Sequence, residues 1–509
     1  MNIYFEEHKP KEGLGRQSLR GGAFSVTARA VNALVQVGSL LFLARLLTPE
    51  DYGLVVMVTA LTAFAPMLVD LGTRDAVVQR ARITEGEAST LFWLTIGVGF
   101  GSAVIISGCG TLIADFYGEP RLNAIVVVSS LAFVGLALSA QHGALLRRAV
   151  MFRELAIIDM TANILSSAGA IVIAYFGFGY WALVARPVAM YFLTAAGTWW
   201  YCRWLPRKPV ITPGVKQMVR FGVNLSGFSL TDFVARNGDR VAVGRVLGAR
   251  TLGYYQNAMF LYENLLNVLV SALHEVAVSG LSRLQNDPAG LRRAWAKALS
   301  TVTFFAMPVF GVLAITSEDL IIILLGEKWA QTGLLLSVLA LRGIAQSAER
   351  TLGWLHVAAG RTDRWLRWGV LAACFQLLGL FCGLPFGPYG VVWACVISMH
   401  ILFIPALVYA GRPLGIRARQ VIAVVGPQFT GALTAAAVGF GLRASLLAGV
   451  APIQRMAILV LLYIAMYLIV VMGLFRVTVP VQVCLSMLRE FLPRPSKATG
   501  DSGLPASRD

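Results

Sequence analysis

Arg29, Asn32 and Gln36 follow Ser25 at steps of four, three and four, which places these polar groups on one face of an otherwise apolar helix. Similar groups interrupt other long apolar segments: Asp159 and Asn163; Arg186; Asp232, Arg236, Asp239 and Arg240; Gln256, Glu263, Asn267 and His274; Arg342, Gln346, Glu349 and Arg350. Arginine suits an anionic ligand, because its planar fork of donors matches phosphate or carboxylate oxygens two at a time. Arg29, Arg186 and Arg342 have no carboxylate three or four positions away, so their own helices do not neutralise them. Arg236 has Asp232 one turn before it and reads equally well as half of an internal ion pair. Asn32, Gln36, Asp232, Asn267 and Gln346 would line the same interior. Asp159 and Glu263 could take up a proton or cation, since a desolvated carboxylate titrates nearer neutral pH, although pairing with an arginine explains either one more simply. The five histidines show no metal spacing and the six cysteines no CxxC pair, so no metal, cofactor or disulfide framework is expected.

These polar residues are carried by fourteen apolar segments, each near the roughly 20 residues that cross a bilayer as a helix. They are 22–46, 52–72, 91–114, 124–146, 155–176, 179–202, 218–244, 252–277, 295–316, 330–352, 365–384, 389–410, 420–442 and 455–475. With 57% hydrophobic and 14% charged residues and a mean hydropathy of +0.70, the chain excludes a single water-soluble core. The expected fold class is an all-α integral membrane protein. A charge at the centre of a span costs about 2.5–3.5 kcal/mol on insertion scales, so the polar residues must face protein or water and not lipid. Gly97 and Gly101 read as helix packing within span 3. Thr48-Pro49-Glu50-Asp51 reads as a helix start, with a Thr cap, Pro in the first turn and acids at the positive dipole end. The run from Ser317 to Trp329 reads as a short interfacial or re-entrant segment.

The net charge of +17 is a matter of topology and not of a nucleic-acid surface, because basic residues recur between spans without exposed aromatics among them. Lys9, Lys11, Arg16 and Arg20 precede span 1. Arg74, Arg80 and Arg82 follow span 2, Arg147, Arg148 and Arg153 follow span 4, and Arg203, Arg207, Lys208 and Lys216 follow span 6. Connections after odd-numbered spans hold few basic residues. The positive-inside rule therefore puts both termini in the cytoplasm. The first twenty residues include Glu6, Glu7, Lys9 and Lys11 with no cleavage site after an apolar run, so no removable signal peptide is expected.

The chain also repeats itself. Residues 44–53 and 244–253 align at an offset of 200, with Arg45 on Arg245, Leu47 on Leu247 and Gly53 on Gly253. The same offset carries Arg29, Asn32 and Gln36 onto Ser229, Asp232 and Arg236, again a polar face. Six spans separate the copies, so both share one orientation and form a parallel repeat. The expected organisation is a segment 1–21, an N-lobe 22–202 of spans 1–6, a linker 203–217 and a C-lobe 218–410 of spans 7–12. Spans 13 and 14 at 420–475 and a tail 476–509 follow.

Ala-Arg-Leu-Leu-Thr-Pro-Glu-Asp-Tyr-Gly at 44–53, Leu-Val-Asp-Leu-Gly-Thr-Arg-Asp-Ala-Val-Val-Gln-Arg at 68–80 and Leu-Phe-Trp-Leu at 91–94 resemble bacterial polysaccharide exporters of the Wzx type. Within the multidrug/oligosaccharidyl-lipid/polysaccharide superfamily, the likeness is to the branch of the colanic acid exporter. Gly244-Arg-Val-Leu-Gly248 and Leu325-Gly-Glu-Lys-Trp329 share it. The resemblance implies two six-helix lobes in the bacterial inner membrane. It further implies movement of an undecaprenyl-pyrophosphate-linked oligosaccharide from the cytoplasmic to the periplasmic leaflet. Expected partners are then the lipid-linked oligosaccharide, membrane lipids, and a polysaccharide polymerase with its chain-length regulator. Family members hold pyrophosphate with cationic cavity residues, and Arg29 is the position that best fits such a role; Arg186, Arg236 and Arg342 are nominated by position alone. Two competing functions remain at this point. A polymerase or ligase would usually carry a large periplasmic loop, whereas every outward connection here is short; a multidrug exporter for cationic drugs would favour acidic over basic cavity residues.

Overall fold

The computed structural model describes residues 4–5, 14–64, 67, 69, 73–80, 82–210, 212–282, 284, 287–358 and 360–482. Among these residues every regular element is helical: α1 (Leu14–Leu46), α2 (Pro49–Thr62), α3 (Thr73–Gln79), α4 (Glu85–Gly108), α5 (Gly110–Tyr117), α6 (Arg121–Arg148), α7 (Phe152–Tyr175), α8 (Trp181–Cys202), α9 (Pro213–Ser282), α10 (Pro288–Leu325), α11 (Ala330–Glu349), α12 (Leu352–Ala358), α13 (Thr362–Gly383), α14 (Gly387–Gly411), α15 (Ala418–Ser445) and α16 (Pro452–Leu468). The described residues of the fourteen apolar segments lie mainly on helices; of 52–72 the part up to Thr62 is helical, and 65–66, 68 and 70–72 lie outside the described residues. Spans 7 and 8 form the two halves of α9, which breaks at Gly248 with φ 80° and ψ 172°, backbone angles that glycine adopts without a Cβ penalty. Seven described helical stretches, α4, α6, α7 and α10 among them, are long and apolar enough to cross a membrane. Leu34, Phe100, Tyr175 and Leu461 are among the exposed large apolar side chains, as expected of a surface solvated by lipid.

Local chemistry sets the helix starts. Thr48 accepts from the Asp51 amide at 3.2 Å while the Asp51 carboxylate accepts from the Thr48 amide at 2.8 Å, and Pro49 opens the helix. Thr84 and Glu87 repeat this reciprocal cap at α4, with distances of 3.2 and 3.0 Å. Each such cap stabilises its helix by about 1 kcal/mol. Residues 317–325 differ from expectation: they are the last turns of α10, and only Glu327–Trp329 forms a separate 3-10 turn. No glycine or proline interrupts the run before Gly326, so the helix continues through it.

The chain forms two compact units. One comprises Met1–Glu263, Thr316–Leu339 and Val370–Ser398; the other comprises Asn264–Ile315, Ala340–Gly369 and Met399–Asp509. In the first, small residues let helices approach closely: Gly99 of α4 faces Ala137 of α6, Gly135 of α6 lies against the Tyr191 backbone of α8, and Gly197 of α8 lies against Ile158 of α7. Gly97 and Gly101, the GxxxG pair, have nothing within 4 Å of a built Cβ. His142 stacks on Trp199 with centroids 4.3 Å apart, and its Nε2 lies 3.0 Å from the Trp204 carbonyl oxygen. The segment following α8 is pinned along the start of α4. The Arg207 amide donates to Ser89 Oγ at 3.0 Å, the Val210 amide to Thr90 Oγ1 at 2.7 Å, and Trp93 Nε1 to the Arg207 carbonyl at 2.9 Å.

In the second unit α15 and α16 pack on α10. Tyr467 donates to the Phe304 carbonyl at 3.0 Å, Gln428 Nε2 to Ser300 Oγ at 3.1 Å, and Arg443 Nη1 to the Ile315 carbonyl at 2.8 Å. Tyr463 donates to the Ala432 carbonyl at 3.0 Å, joining α16 to α15.

Candidate functional site

Three helices of the first unit bring polar residues together where apolar packing would otherwise be expected. Asn163 of α7, 8% exposed, donates from Nδ2 to Asn32 Oδ1 of α1 at 3.1 Å. Its Oδ1 accepts from Arg186 Nη2 of α8 at 3.4 Å and from Ser167 Oγ at 3.5 Å. An amide can do this because it donates and accepts at once. The relay fixes one corner of the Arg186 fork. Among the described residues no carboxylate pairs with Arg186, so its charge and its other N–H donors remain available to an anion.

The first turn of α2 flanks this cluster. Asp51 Oδ1 lies 3.1 Å from where a Cβ would stand on Gly179, just before α8, and the Tyr52 phenol is within electrostatic reach of Arg186. Tyr52 is 8% exposed, and its ring meets Trp329 edge-on with centroids 5.2 Å apart. Next to it is the tightest crossing in the unit. A Cβ on Gly53 would overlap the carbonyl oxygen of Ala249, and a Cβ on Gly253 would overlap that of Pro49. The offset of 200 that relates the two glycines also relates Pro49 to Ala249, so the contact is reciprocal.

Hydrogen bonds to helix-end carbonyls tie this end further. Arg45 Nε and Nη2 donate to Leu324 and Ile323 at 3.2 and 3.0 Å, Lys328 Nζ to the Arg45 carbonyl at 2.8 Å, and Trp329 Nε1 to the Ala44 carbonyl at 2.7 Å. The last carbonyls of α1 and α10 thus find partners they lack within their own helices. Arg245, the repeat mate of Arg45, lies 5.8 Å over the Phe116 ring, again at a helix end.

Residues 42–333, more than half of the chain, match the profile of a family described as polysaccharide biosynthesis protein. The chain belongs to this family. It is 26% identical to the lipopolysaccharide biosynthesis protein WzxC of Escherichia coli (strain K12), over 69% of this chain and 72% of that one. It is 25% identical to the succinoglycan biosynthesis transport protein ExoT of Rhizobium meliloti (strain 1021), over 70% and 72%. Among solved structures, a lipid II flippase MurJ in an inward closed conformation superposes with a TM-score of 0.67 at 15% identity, covering 90% of this chain and 99% of that one. An inward-facing multidrug resistance MATE transporter of the MOP superfamily gives 0.60 at 13% identity, covering 77% and 98%. These likenesses establish the fold: a multi-pass membrane protein built as transporters of that superfamily are.

Against this family frame, the residues nominated from sequence divide clearly. Asn32 and Arg186 meet through Asn163. Gln36 is exposed on α1, and Asp159 is exposed on α7 one turn before Asn163. Glu263 lies 3.7 Å from Arg240 as an ion pair within α9. Arg342 and Gln346 are half-buried on α11 and Asn267 is exposed, all three in the second unit. Arg29 lies in α1, and Asp232 and Arg236 in α9, but their side chains lie outside the described residues. Sequence reasoning noticed Asn163 only as a polar residue and not as the hub. It also missed a second repeat, Tyr117-Gly118-Glu119 against Leu325-Gly326-Glu327 at an offset of 208, whose glycines take φ 71° and 97°. Glycine followed by glutamate just after an apolar span was the available signal.

Proposed function

We propose that this chain is an inner-membrane flippase that moves undecaprenyl-pyrophosphate-linked oligosaccharide repeat units from the cytoplasmic to the periplasmic leaflet by alternating access. Both termini lie in the cytoplasm, and the end bearing Gly53 and Gly253 faces the periplasm. Spans 1–6 and 7–12 act as the two lobes, with the linker after α8 between them. A polysaccharide polymerase and its chain-length regulator take over the delivered units. The chain is a transporter and not an enzyme.

The observation that carries this reading is Arg186, a half-buried cation held in place by an amide relay with no described carboxylate to neutralise it. A pyrophosphate offers such a fork two or more charge-assisted hydrogen bonds in a setting of low dielectric. The WzxC and ExoT names and the MurJ-like fold support the substrate class. Arg29, Arg236 and Arg342 are further proposed cations, Asp159 and Glu263 proposed acceptors of a coupling ion.

The test follows lipid-linked oligosaccharide by leaflet in cells depleted of the protein and rescued with wild type, Arg186→Ala or Arg186→Lys at equal expression. Wild type clears the cytoplasmic leaflet, Arg186→Ala leaves the intermediate there, and Arg186→Lys recovers part of the flux because it keeps the charge without the fork. Unpolymerised units gathering on the periplasmic face after depletion would instead mean intact translocation and a missing enzyme.

A further inference from the structure

Tyr52 is buried at 8% exposure, and its hydroxyl makes no hydrogen bond among the described residues. Such a hydroxyl bears the full desolvation cost of a polar group with no partner to offset it, whereas phenylalanine would fill the same space free of that cost. Helix packing gives no reason for a tyrosine here. Trp329 meets the ring edge-on, a contact that phenylalanine would also make. The phenol lies within electrostatic reach of Arg186, whose fork is anchored at one corner by Asn163 and makes no other hydrogen bond or ion pair among the described residues. The turn before α8 lies against Asp51, so the first turn of α2 and the Arg186 helix are packed neighbours and not merely close in charge.

We infer that Tyr52 is a second ligand-binding residue of the Arg186 site, donating its O–H to the same phosphate group that the arginine grips. This deepens the proposed flippase function and rests on it. A phenol and a guanidinium together present donors from two helices to one anion, and the pyrophosphate of the substrate has acceptor oxygens for both. Tyr52 is also one residue from the Gly53 crossing, so a head group that satisfies the hydroxyl sits beside that close helix contact.

The purified full chain in detergent is titrated with farnesyl pyrophosphate, with farnesol as the uncharged control, for wild type, Tyr52→Phe, Arg186→Ala and the double variant. Tyr52→Phe binds the pyrophosphate about tenfold more weakly, as loss of one hydrogen bond to a charged group predicts. The double variant binds little worse than Arg186→Ala, because both residues grip one group and their losses do not add. The thermal midpoint of Tyr52→Phe without ligand is equal to or above that of wild type, since the hydroxyl has no structural partner to lose. A structural role would lower that midpoint and overturn the inference. Wild-type pyrophosphate affinity in Tyr52→Phe overturns it too, and identifies the hydroxyl as water-bound at most. If Arg186→Ala also binds like wild type, the cation assignment under the flippase reading fails first.

Discussion

Replacing Gly53 or Gly253 by alanine places a methyl group where a carbonyl oxygen already stands, and no rotamer can relieve the clash because Cβ has none. Ordinary contact begins near 3.4 Å, so the two helices must part by about 1.6–1.7 Å to admit the methyl. Overpacking of this kind costs about 1–3 kcal/mol, which shifts the balance between a closed and an opened crossing by about 5- to 150-fold. Glu50 and Arg250, repeat mates beside the crossing and within electrostatic reach of each other, provide the reporter. Both become cysteine in a background whose six native cysteines are alanine, and a short bifunctional thiol reagent then measures how often they approach. Gly53→Ala and Gly253→Ala lower the cross-linking rate within that shift, while Gly97→Ala, with nothing within 4 Å of its Cβ, leaves it unchanged. Cross-linking at the wild-type rate in both crossing variants would refute the reasoning, because the helices would then have absorbed the methyl without parting.

Two further outcomes follow from other contacts. Tyr463→Phe removes a buried hydroxyl bonded to the Ala432 carbonyl and lowers unfolding stability by about 1 kcal/mol in a denaturation series, with pyrophosphate binding unaffected. Hydrogen bonds from Arg121 hold the Glu119 carboxyl below the usual carboxylate range. A lowered folded-state pKa adds stability above the unfolded value, near 4.5, that is lost as pH falls through the folded one. The pair is partly exposed, so Arg121→Ala should cost only about 0.5 kcal/mol at pH 7, and melting curves of the two proteins should converge in more acidic buffer.

The spans were legible because a bilayer demands long apolar runs and every backbone group in them must bond within its own segment. Thr48 and Asp51 were legible because a capping box is local, needing only four residues in register. Arg186 stood out because an arginine inside an apolar run needs a reason. Its anchor did not, because nothing in the spacing of Asn32, Asn163 and Arg186 says that three helices distant in sequence converge on one amide. Tyr52 was invisible for a different reason: a tyrosine near a helix start ordinarily marks the lipid–water boundary, and only burial without a partner separates it from that role. Residues 317–325 were misjudged because their acids look like a loop, although Asp319 is fully buried within α10.

The reciprocal glycine contact has the form of an interface between identical subunits, in which each patch touches its own copy through a two-fold axis. A symmetric pair of separate chains would have to solve that packing once, with a single residue serving both sides. In a repeat within one chain the two sides are free to differ, and beside the crossing they do: the counterpart of Pro49 at the offset of 200 is Ala249, and that of Tyr52 is Leu252. The glycines alone stay identical at the point of closest approach, where neither copy can change without its twin giving way. The difference around that fixed point leaves one copy with a tyrosine hydroxyl and the other with a plain leucine, so two halves that share a packing rule need not present the same chemistry.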